Sequence, residues 1–180
     1  MPRSYRLQRR AERLAETRQR IVDAAVELHG TLGPAHTPVS AIAQRAGVQR
    51  HTVYAHFPDA RALLAACTAH WAARHPFPDP GRIEELRDGL DAVYAWYESV
   101  EDDLVVFARD ASALGGLGLE IEHHRRLTEL HRRLGRGRNR RARAALGHAL
   151  ELETWRSLVR RQGLSRRVAV DLMVRLVESL

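Results

Sequence analysis

Lysine is absent from this sequence and cysteine is nearly so. All 29 basic residues are arginines, which bind phosphate groups through a planar, bidentate fork. A GC-rich genome would produce the same bias, so we attach function only to local arginine clusters. Cys67 is the single cysteine, which excludes an intramolecular disulfide and favours a reducing cytoplasm. Because it lies in an apolar helical run, we expect a buried small side chain rather than a redox sensor.

Catalytic signatures and long apolar runs are absent as well. The sequence contains no P-loop, no nucleophile elbow and no histidine–glutamate zinc motif, so we expect no enzymatic activity and no cofactor. No stretch approaches the length of a transmembrane helix. The charged start of the chain, MPRSYRLQRRAERLAETRQR, is followed by no apolar segment, and we therefore expect no secretory signal.

Helical periodicity, by contrast, runs over nearly the whole chain. With 180 residues, of which 44% are hydrophobic, the chain is long enough to bury a core. We predict an all-α fold of about nine helices, with an N-terminal helix-turn-helix domain and a larger helical domain after it. The formal net charge of +7 indicates a polyanionic partner, either nucleic acid or an acidic membrane surface.

Prolines and capping residues divide the chain into segments. The stretch HPFPDPG, residues 75–81, cannot continue a helix because of its three prolines. We therefore expect a flexible basic arm at 1–14, the helix-turn-helix domain at 15–75 and the larger domain at 76–180. The first helix should begin near Thr17, Ser99 with Asp102 should begin a new helix, and Asp59 and Ser165 should cap others. The last two helices are predicted at about 140–161 and 166–179.

The stretch VSAIAQRAGVQRHTVYAHF, residues 39–57, has the layout of a helix-turn-helix motif. Ala43 is small where the two helices would cross, Gly47 can supply a positive φ in the turn, and Val53 can anchor the second helix. Around Val53, His51 would point away from the core, with polar side chains on both flanks. A recognition helix in the major groove presents such a face. Within a motif of about 38–57, and just before it, the residues predicted to contact DNA are Thr37, Ser40, Arg50, His51, Thr52, Tyr54 and His56.

These features resemble the DNA-binding domain of the TetR family of transcriptional regulators. The resemblance is carried by RIVDAAVELHGTLGPAHTPVSAIAQRAGVQRHTVYAHFPDARALLAA, and it covers roughly residues 15–75. It implies a cytoplasmic, bacterial, homodimeric repressor whose N-terminal domain binds a palindromic operator. It also implies a C-terminal domain that binds a small-molecule effector, which releases the DNA. By the same resemblance Thr37, Thr52, Tyr54 and His56 contact the DNA backbone, and residues around Arg50 and His51 read bases.

Three positions depart from the pattern of this family. Gln49 replaces the usual serine or threonine cap, and His51 replaces a residue that is usually small. Ala60 stands where the family often has a lysine that contacts phosphate, and Arg61 is the candidate to replace it. The operator sequence of other members is therefore not transferable.

The second half of the chain has two features of its own. The final helix is apolar on two sides, so each side should be buried against a different partner. This agrees with the homodimer through the last two helices that the resemblance implies. A ligand pocket is expected among the middle helices, although core packing is the commoner role of each residue alone. The candidates are Trp96, Tyr97, Phe107, His124 and Trp155. We expect no metal site, because neighbouring histidines on a helix diverge by about 100° and no other ligand completes a set.

One alternative stays open besides the sequence-specific regulator. A non-sequence-specific, architectural DNA-binding protein would suit the arginine-rich start and the sequence pI of about 10.8. It would not explain an apolar second domain that is longer than the first. A protein of the membrane surface is disfavoured, because no helix pairs a wide apolar face with a cationic one.

Overall fold

The structure is a computed structural model that describes residues 3–110 and 118–180, with the backbone alone at 3, 4, 107, 108 and 118–122. Within these ranges the chain forms nine α-helices and no β-strand. It divides into two compact units: unit 1 is Met1–Arg74 with Asp102–Leu119, and unit 2 is His75–Glu101 with Glu120–Leu180. The segment Asp102–Leu119 was expected in the C-terminal domain, so its place in unit 1 differs from the expectation.

Unit 1 consists of four helices and the end of a fifth. They are α1 (Arg3–Leu32), α2 (Val39–Ala46), α3 (Arg50–His56), α4 (Ala60–Arg74) and the last part of α5 (Leu86–Asp110). A short 3-10 turn, Pro34–His36, links α1 to α2.

The core of unit 1 forms where α1 packs against α2 and α4, and α3 adds to it by packing against α2. Ile21 and Ala25 are fully buried, as their spacing on one face of α1 predicts. Cys67 lies in the same cluster and is 4% exposed. Burial raises the pKa of its thiol to about 12, which makes it a poor nucleophile near neutral pH. The interpretation of Cys67 as a buried small side chain is confirmed.

The beginning of α1 differs from the prediction. The helix starts at Arg3 rather than near Thr17, so the segment expected to be a flexible arm is helical over most of its length. Its described side chains, from residue 5 to residue 16, are exposed. Arginine, glutamate, glutamine, leucine and alanine are all strong helix formers. A helix nucleated on the core can therefore extend through them without an apolar face of their own.

Unit 2 is built around the first part of α5. A 3-10 turn, Pro80–Arg82, precedes it, and the other helices are α6 (Gly118–Leu134), α7 (Arg140–Ala149), α8 (Leu152–Trp155) and α9 (Arg166–Glu178). A π-helical turn, Arg156–Arg161, continues α8. Leu90, Val93 and Tyr97 of α5 are fully buried, together with Leu130 of α6 and Leu146 of α7. No helix in the described ranges combines the length and apolarity needed to cross a bilayer.

Two predicted helix boundaries in this region are wrong. No new helix begins at Ser99, because α5 continues without a break to Asp110. The hydroxyl of Ser99 donates to the carbonyl oxygen of Trp96 at 2.8 Å and so bonds back into its own helix. The predicted helix at 140–161 is divided after Ala149.

Candidate nucleic-acid interface and pocket

The turn between α2 and α3 is a Schellman motif. The N–H of Val48 donates to the carbonyl of Ala43 at 2.9 Å, and the N–H of Gly47 donates to Gln44 at 3.2 Å. Gly47 has φ 66° and ψ 38°, the left-handed conformation that this motif requires. A Cβ at Gly47 would approach only a guanidinium nitrogen of Arg20, at 3.9 Å. The backbone conformation, rather than lack of space, therefore requires glycine here.

Buried apolar side chains fix α3 against the rest of unit 1. Val53 is 1% exposed, and Phe57, which follows the helix, is 3% exposed. Gln49 occupies the N-cap position of α3 and makes no side-chain capping bond. The predicted cap of α4 is confirmed, because the N–H of Ala62 donates to a carboxylate oxygen of Asp59 at 2.7 Å. With Val53 facing inward, the other side of α3 faces solvent.

The residues predicted to contact DNA are all at least partly exposed. Ser40, Arg50, His51, Tyr54 and Arg61 are exposed, whereas Thr37, Thr52 and His56 are half-buried. Between residues 33 and 61, Asp59 is the one acidic residue in the sequence, and it is engaged as a helix cap. The surface formed by α2, α3 and the start of α4 therefore carries an excess of positive charge, as a polyanion-binding surface requires.

Two groups of this surface are already engaged within the chain. The hydroxyl of Thr37 donates to the carbonyl of Gly33 at 2.7 Å, so contact with a phosphate would have to replace that bond. Arg45 on α2 is paired with Glu27 on α1 at 2.5 Å. The first contact lies within the link between α1 and α2, and the second joins the two helices at an exposed position.

A contact that sequence reasoning missed holds the chain just before α2. Asp110, at the end of α5, is 2% exposed and accepts the N–H of Ala35 at 3.0 Å and Nε of Arg109 at 2.7 Å. Arg109 also donates to the carbonyl of Leu32 at 2.7 Å. Its guanidinium holds the pKa of the Asp110 carboxyl below its usual range. The partners are separated by 75 residues, so no local pattern in the sequence could have indicated this contact.

A cavity of about 420 Å³ lies within unit 2. Its described lining is Tyr97, His123, His124, Leu127, Thr128, His131, Gly147, Leu150, Glu151 and Leu152. The volume lies within the range of small-molecule pockets. Tyr97 forms part of its wall and is fixed by a hydrogen bond from its hydroxyl to the carbonyl of Leu150 at 2.7 Å.

His123 contributes an imidazole to this lining and is surrounded by three aromatic rings. Its ring stacks on Trp96 with centroids 5.0 Å apart and an interplanar angle of 17°. Phe77 meets it edge-on at 5.3 Å, and Tyr97 lies at 5.9 Å. Burial lowers the pKa of His123 to about 4, so the ring is neutral at neutral pH.

The five residues predicted for the pocket do not all reach this cavity. Tyr97 and His124 line it. Trp96 packs behind the lining on His123, and Trp155 packs on Tyr97 with ring centroids 5.7 Å apart. The side chain of Phe107 lies outside the described residues. His124 is exposed, whereas its neighbour His123 is partly buried.

Comparison with known proteins identifies the N-terminal part of the chain. The family profile described as "Bacterial regulatory proteins, tetR family" matches residues 21–67. The regulator SrpR of Pseudomonas putida is 39% identical over 102 residues, which cover 51% of this chain and 46% of SrpR. The uncharacterized regulator TtgW, from a strain of the same species, is also 39% identical over 102 residues, which cover 51% of this chain and 74% of TtgW. The chain belongs to the TetR family.

The resemblance seen in the sequence is thereby confirmed, and the fold agrees with it. A TetR-like transcriptional regulator from Rhodococcus sp. RHA1 superposes with a TM-score of 0.59 at 20% identity, covering 90% of this chain and 93% of that one. At this identity the comparison shows the shared TetR fold alone. The match to SrpR spans about half of that regulator's length.

The eight positions predicted to contact DNA all lie inside the segment that matches the TetR profile. The Schellman turn and the exposed face of α3 belong to the same segment. The cavity of unit 2 lies outside it. The DNA-binding motif of this TetR protein is thus supported both by the family match and by its geometry. The cavity is supported by its geometry alone.

Proposed function

We propose that this protein is a sequence-specific transcriptional regulator, a repressor that binds a palindromic operator as a homodimer and is released by a small molecule. The observation that carries the proposal is the exposed polar face of α3. Arg50 and His51 stand at the start of that helix, away from buried Val53. Arginine and histidine side chains at the N-terminal end of a recognition helix reach base edges in the major groove.

Residues around α3 supply the contacts to phosphate in this proposal. Tyr54 is 47% exposed, Ser40 and Arg61 are exposed, and Thr52 and His56 are half-buried at the flanks of the helix. Hydroxyl and N–H groups in such positions orient a protein on the DNA backbone without reading its sequence.

An unpartnered apolar stripe on α9 supports the homodimer. Val168, Leu172 and Leu176 recur every four residues on α9, Leu180 follows just beyond its end, and each is between 38% and 44% exposed. The opposite side of α9 is buried in unit 2 through Ala169, Val170, Met173, Val174 and Val177. A second copy of this chain is the occupant that we propose, because a twofold dimer presents two α3 helices to the two halves of a palindrome.

The cavity of unit 2 is the proposed effector site. Its volume of about 420 Å³ suits a drug-sized ligand, and its lining combines leucines and a tyrosine with histidines, a threonine and a glutamate. A ligand that binds the DNA-free conformation more tightly than the DNA-bound one would release the operator by mass action.

The first experiment is binding to DNA by fluorescence polarisation. Labelled duplexes from the region upstream of the gene are compared with scrambled duplexes at physiological salt, and genomic fragments are then selected on the immobilised protein. We expect a preferred duplex that binds tighter than scrambled DNA by a factor of about a thousand or more. Arg50→Ala should weaken that preference, whereas Arg141→Ala, which removes an exposed arginine from α7, should leave it unchanged.

Other results would favour the alternative or reject both. Equal and steeply salt-dependent binding to every duplex, with no genomic fragment enriched, would favour an architectural DNA-binding protein. Absence of binding to any duplex at low salt would contradict both DNA-binding functions.

A further inference from the structure

The charge of the cavity lining is opposite to the charge of the whole chain. The chain carries a formal net charge of +7 and 29 arginines. The described lining nevertheless contains no arginine, and apart from its histidines it has one ionisable side chain with a formal charge, the carboxylate of Glu151. A ligand inside the cavity therefore meets a local environment that the overall charge does not predict.

Glu151 is placed to act on a ligand rather than on the fold. It lies at the N-cap position of α8 but makes no capping bond with its side chain, and it is exposed. The nearby Glu153 is paired with Arg156 at 2.9 Å and with Arg161 at 3.8 Å. Among the described residues, no such ion pair involves the carboxylate of Glu151, which leaves its charge uncompensated at the cavity wall.

Two residues of the lining, His123 and Tyr97, are aromatic and electrically neutral at neutral pH. His123 is held uncharged by burial and stacks on Trp96. Tyr97 keeps its proton, because burial and the nearby charge of Glu151 both raise the pKa of its phenol. Faces of aromatic rings attract cations, most strongly where water is partly excluded.

We propose that the cavity binds an organic cation with an aromatic or apolar body, and that Glu151 provides the opposite charge. The proposal rests on the ligand-responsive function proposed above and names the ligand class of the same site. A carboxylate or phosphate ligand would find no arginine in the described lining to form the charge-assisted bonds that such groups need. It would also face the negative charge of Glu151.

Two probes of nearly the same size and shape but opposite charge test this proposal. Tetraphenylphosphonium and tetraphenylborate are titrated separately into the DNA-free protein and followed by calorimetry. The net charge of +7 favours the borate non-specifically, so a preference for the phosphonium has to come from the site itself. We expect the wild-type protein to bind the cation tighter than the anion by about tenfold or more, because Glu151 attracts the one and repels the other.

Substitutions locate the binding and its cause. Glu151→Gln keeps the size of the side chain and should weaken cation binding about tenfold, because it removes the paired charge. Glu153→Gln is the matched control, since it changes the net charge equally but lies outside the cavity lining; it should bind the cation like the wild type. Thr128→Trp, at an exposed lining position on α6, should block the cavity and abolish binding of the cation.

Three results would overturn the ligand class: tighter binding of the borate, binding of neither probe, or phosphonium binding that Glu151→Gln leaves unchanged. The same preparations are tested on the selected duplex, so that the two proposals can fail separately. Intact operator binding without cation binding would reject the ligand class and leave the regulator. Cation binding without any sequence preference on DNA would reject the regulator and leave the ligand class.

Discussion

The hydroxyl of Tyr97 donates a hydrogen bond to the carbonyl oxygen of Leu150, with 2.7 Å between the two oxygen atoms. One turn earlier on α5, Tyr94 donates in the same way to the carbonyl of Ala149 at 2.9 Å. All four residues are buried. The two phenols thereby satisfy backbone carbonyls at the end of α7 and stabilise the break between α7 and α8.

Removal of these hydroxyls should destabilise unit 2. Tyr97→Phe keeps the ring but leaves the carbonyl of Leu150 buried without this donor, so we expect a loss of about 1–3 kcal/mol in the free energy of unfolding. Urea titration followed by circular dichroism measures the loss. Tyr54→Phe removes a hydroxyl from an exposed ring and serves as the control, with a change within about 0.5 kcal/mol. Equal stability of the two variants would contradict the role given to Tyr97.

Two glycines with positive φ should differ in their tolerance of alanine. Gly47→Ala should cost about 1–2 kcal/mol, because the left-handed backbone is strained but the space for a Cβ is open. Gly33 has φ 89°. Gly33→Ala should destabilise the protein more, because the added Cβ would collide with Arg109 and with the buried carboxylate of Asp110. Chemical denaturation of both variants gives the order. A smaller loss for Gly33→Ala would mean that the Asp110 contact is not maintained in solution.

Substitutions at two helix caps next to α3 should change the stability of the protein in opposite directions. Asp59→Ala should destabilise the protein by about 1 kcal/mol, because the first turn of α4 loses its capping acceptor. Gln49→Ser should stabilise it by roughly 0.5–1 kcal/mol, since α3 has no side-chain cap at present. In thermal melts, Asp59→Ala should therefore unfold below the melting temperature of the wild type, and Gln49→Ser above it. A destabilising Gln49→Ser would show that the glutamine has a role that the cap position does not describe.

Stability should fall between neutral and mildly acidic pH because of a buried histidine. His29 is 5% exposed, and burial lowers its pKa to about 4, although the nearby charge of Asp110 opposes the shift. The unfolded chain binds a proton at this residue below about pH 6.5, whereas the folded chain does not until about pH 4. The free energy of unfolding should thus fall through that window, with about 2 kcal/mol lost by roughly pH 5.

Substitution identifies the part of this loss that belongs to His29. In His29→Gln the decrease between neutral pH and about pH 5 should shrink by that amount, as measured by urea unfolding at both values. The part due to His123, whose pKa burial also lowers to about 4, should remain. His51→Gln, at an exposed position, is the matched control. A pH dependence that His29→Gln leaves unchanged would exclude His29 as its source.

The proposed homodimer depends on the apolar stripe of α9. Leu172→Glu places a charge in the middle of the stripe and should weaken dimerisation by at least about thirtyfold. Light scattering after size-exclusion chromatography reads the change directly. Val105→Glu is the control and should leave the dimer intact. Val105 lies in α5 and has the same exposure, 44%, as Leu172. A wild-type protein that is monomeric at all concentrations would reject the dimer itself.

The sequence by itself determined the elements whose causes lie within a few residues. The turn at Gly47 requires one residue with positive φ after a short apolar helix, and both signals are adjacent in the chain. The caps at Asp59 and Ser165 depend on a side chain and a backbone N–H three residues later, and both form. The buried face of α1, with Ile21 and Ala25, follows from helical spacing alone.

The tertiary structure alone decided the features whose causes are distant in the chain. The break after α7 depends on phenol groups more than 50 residues away, and the anchor before α2 depends on Asp110, 75 residues from its partner. His123 rather than His124 is the partly buried histidine, since one residue of phase turns a side chain by about 100° and only packing sets that phase. Local propensity and spacing thus determine which helices form, whereas the partners of buried polar groups decide where those helices end and which side chains form the cavity.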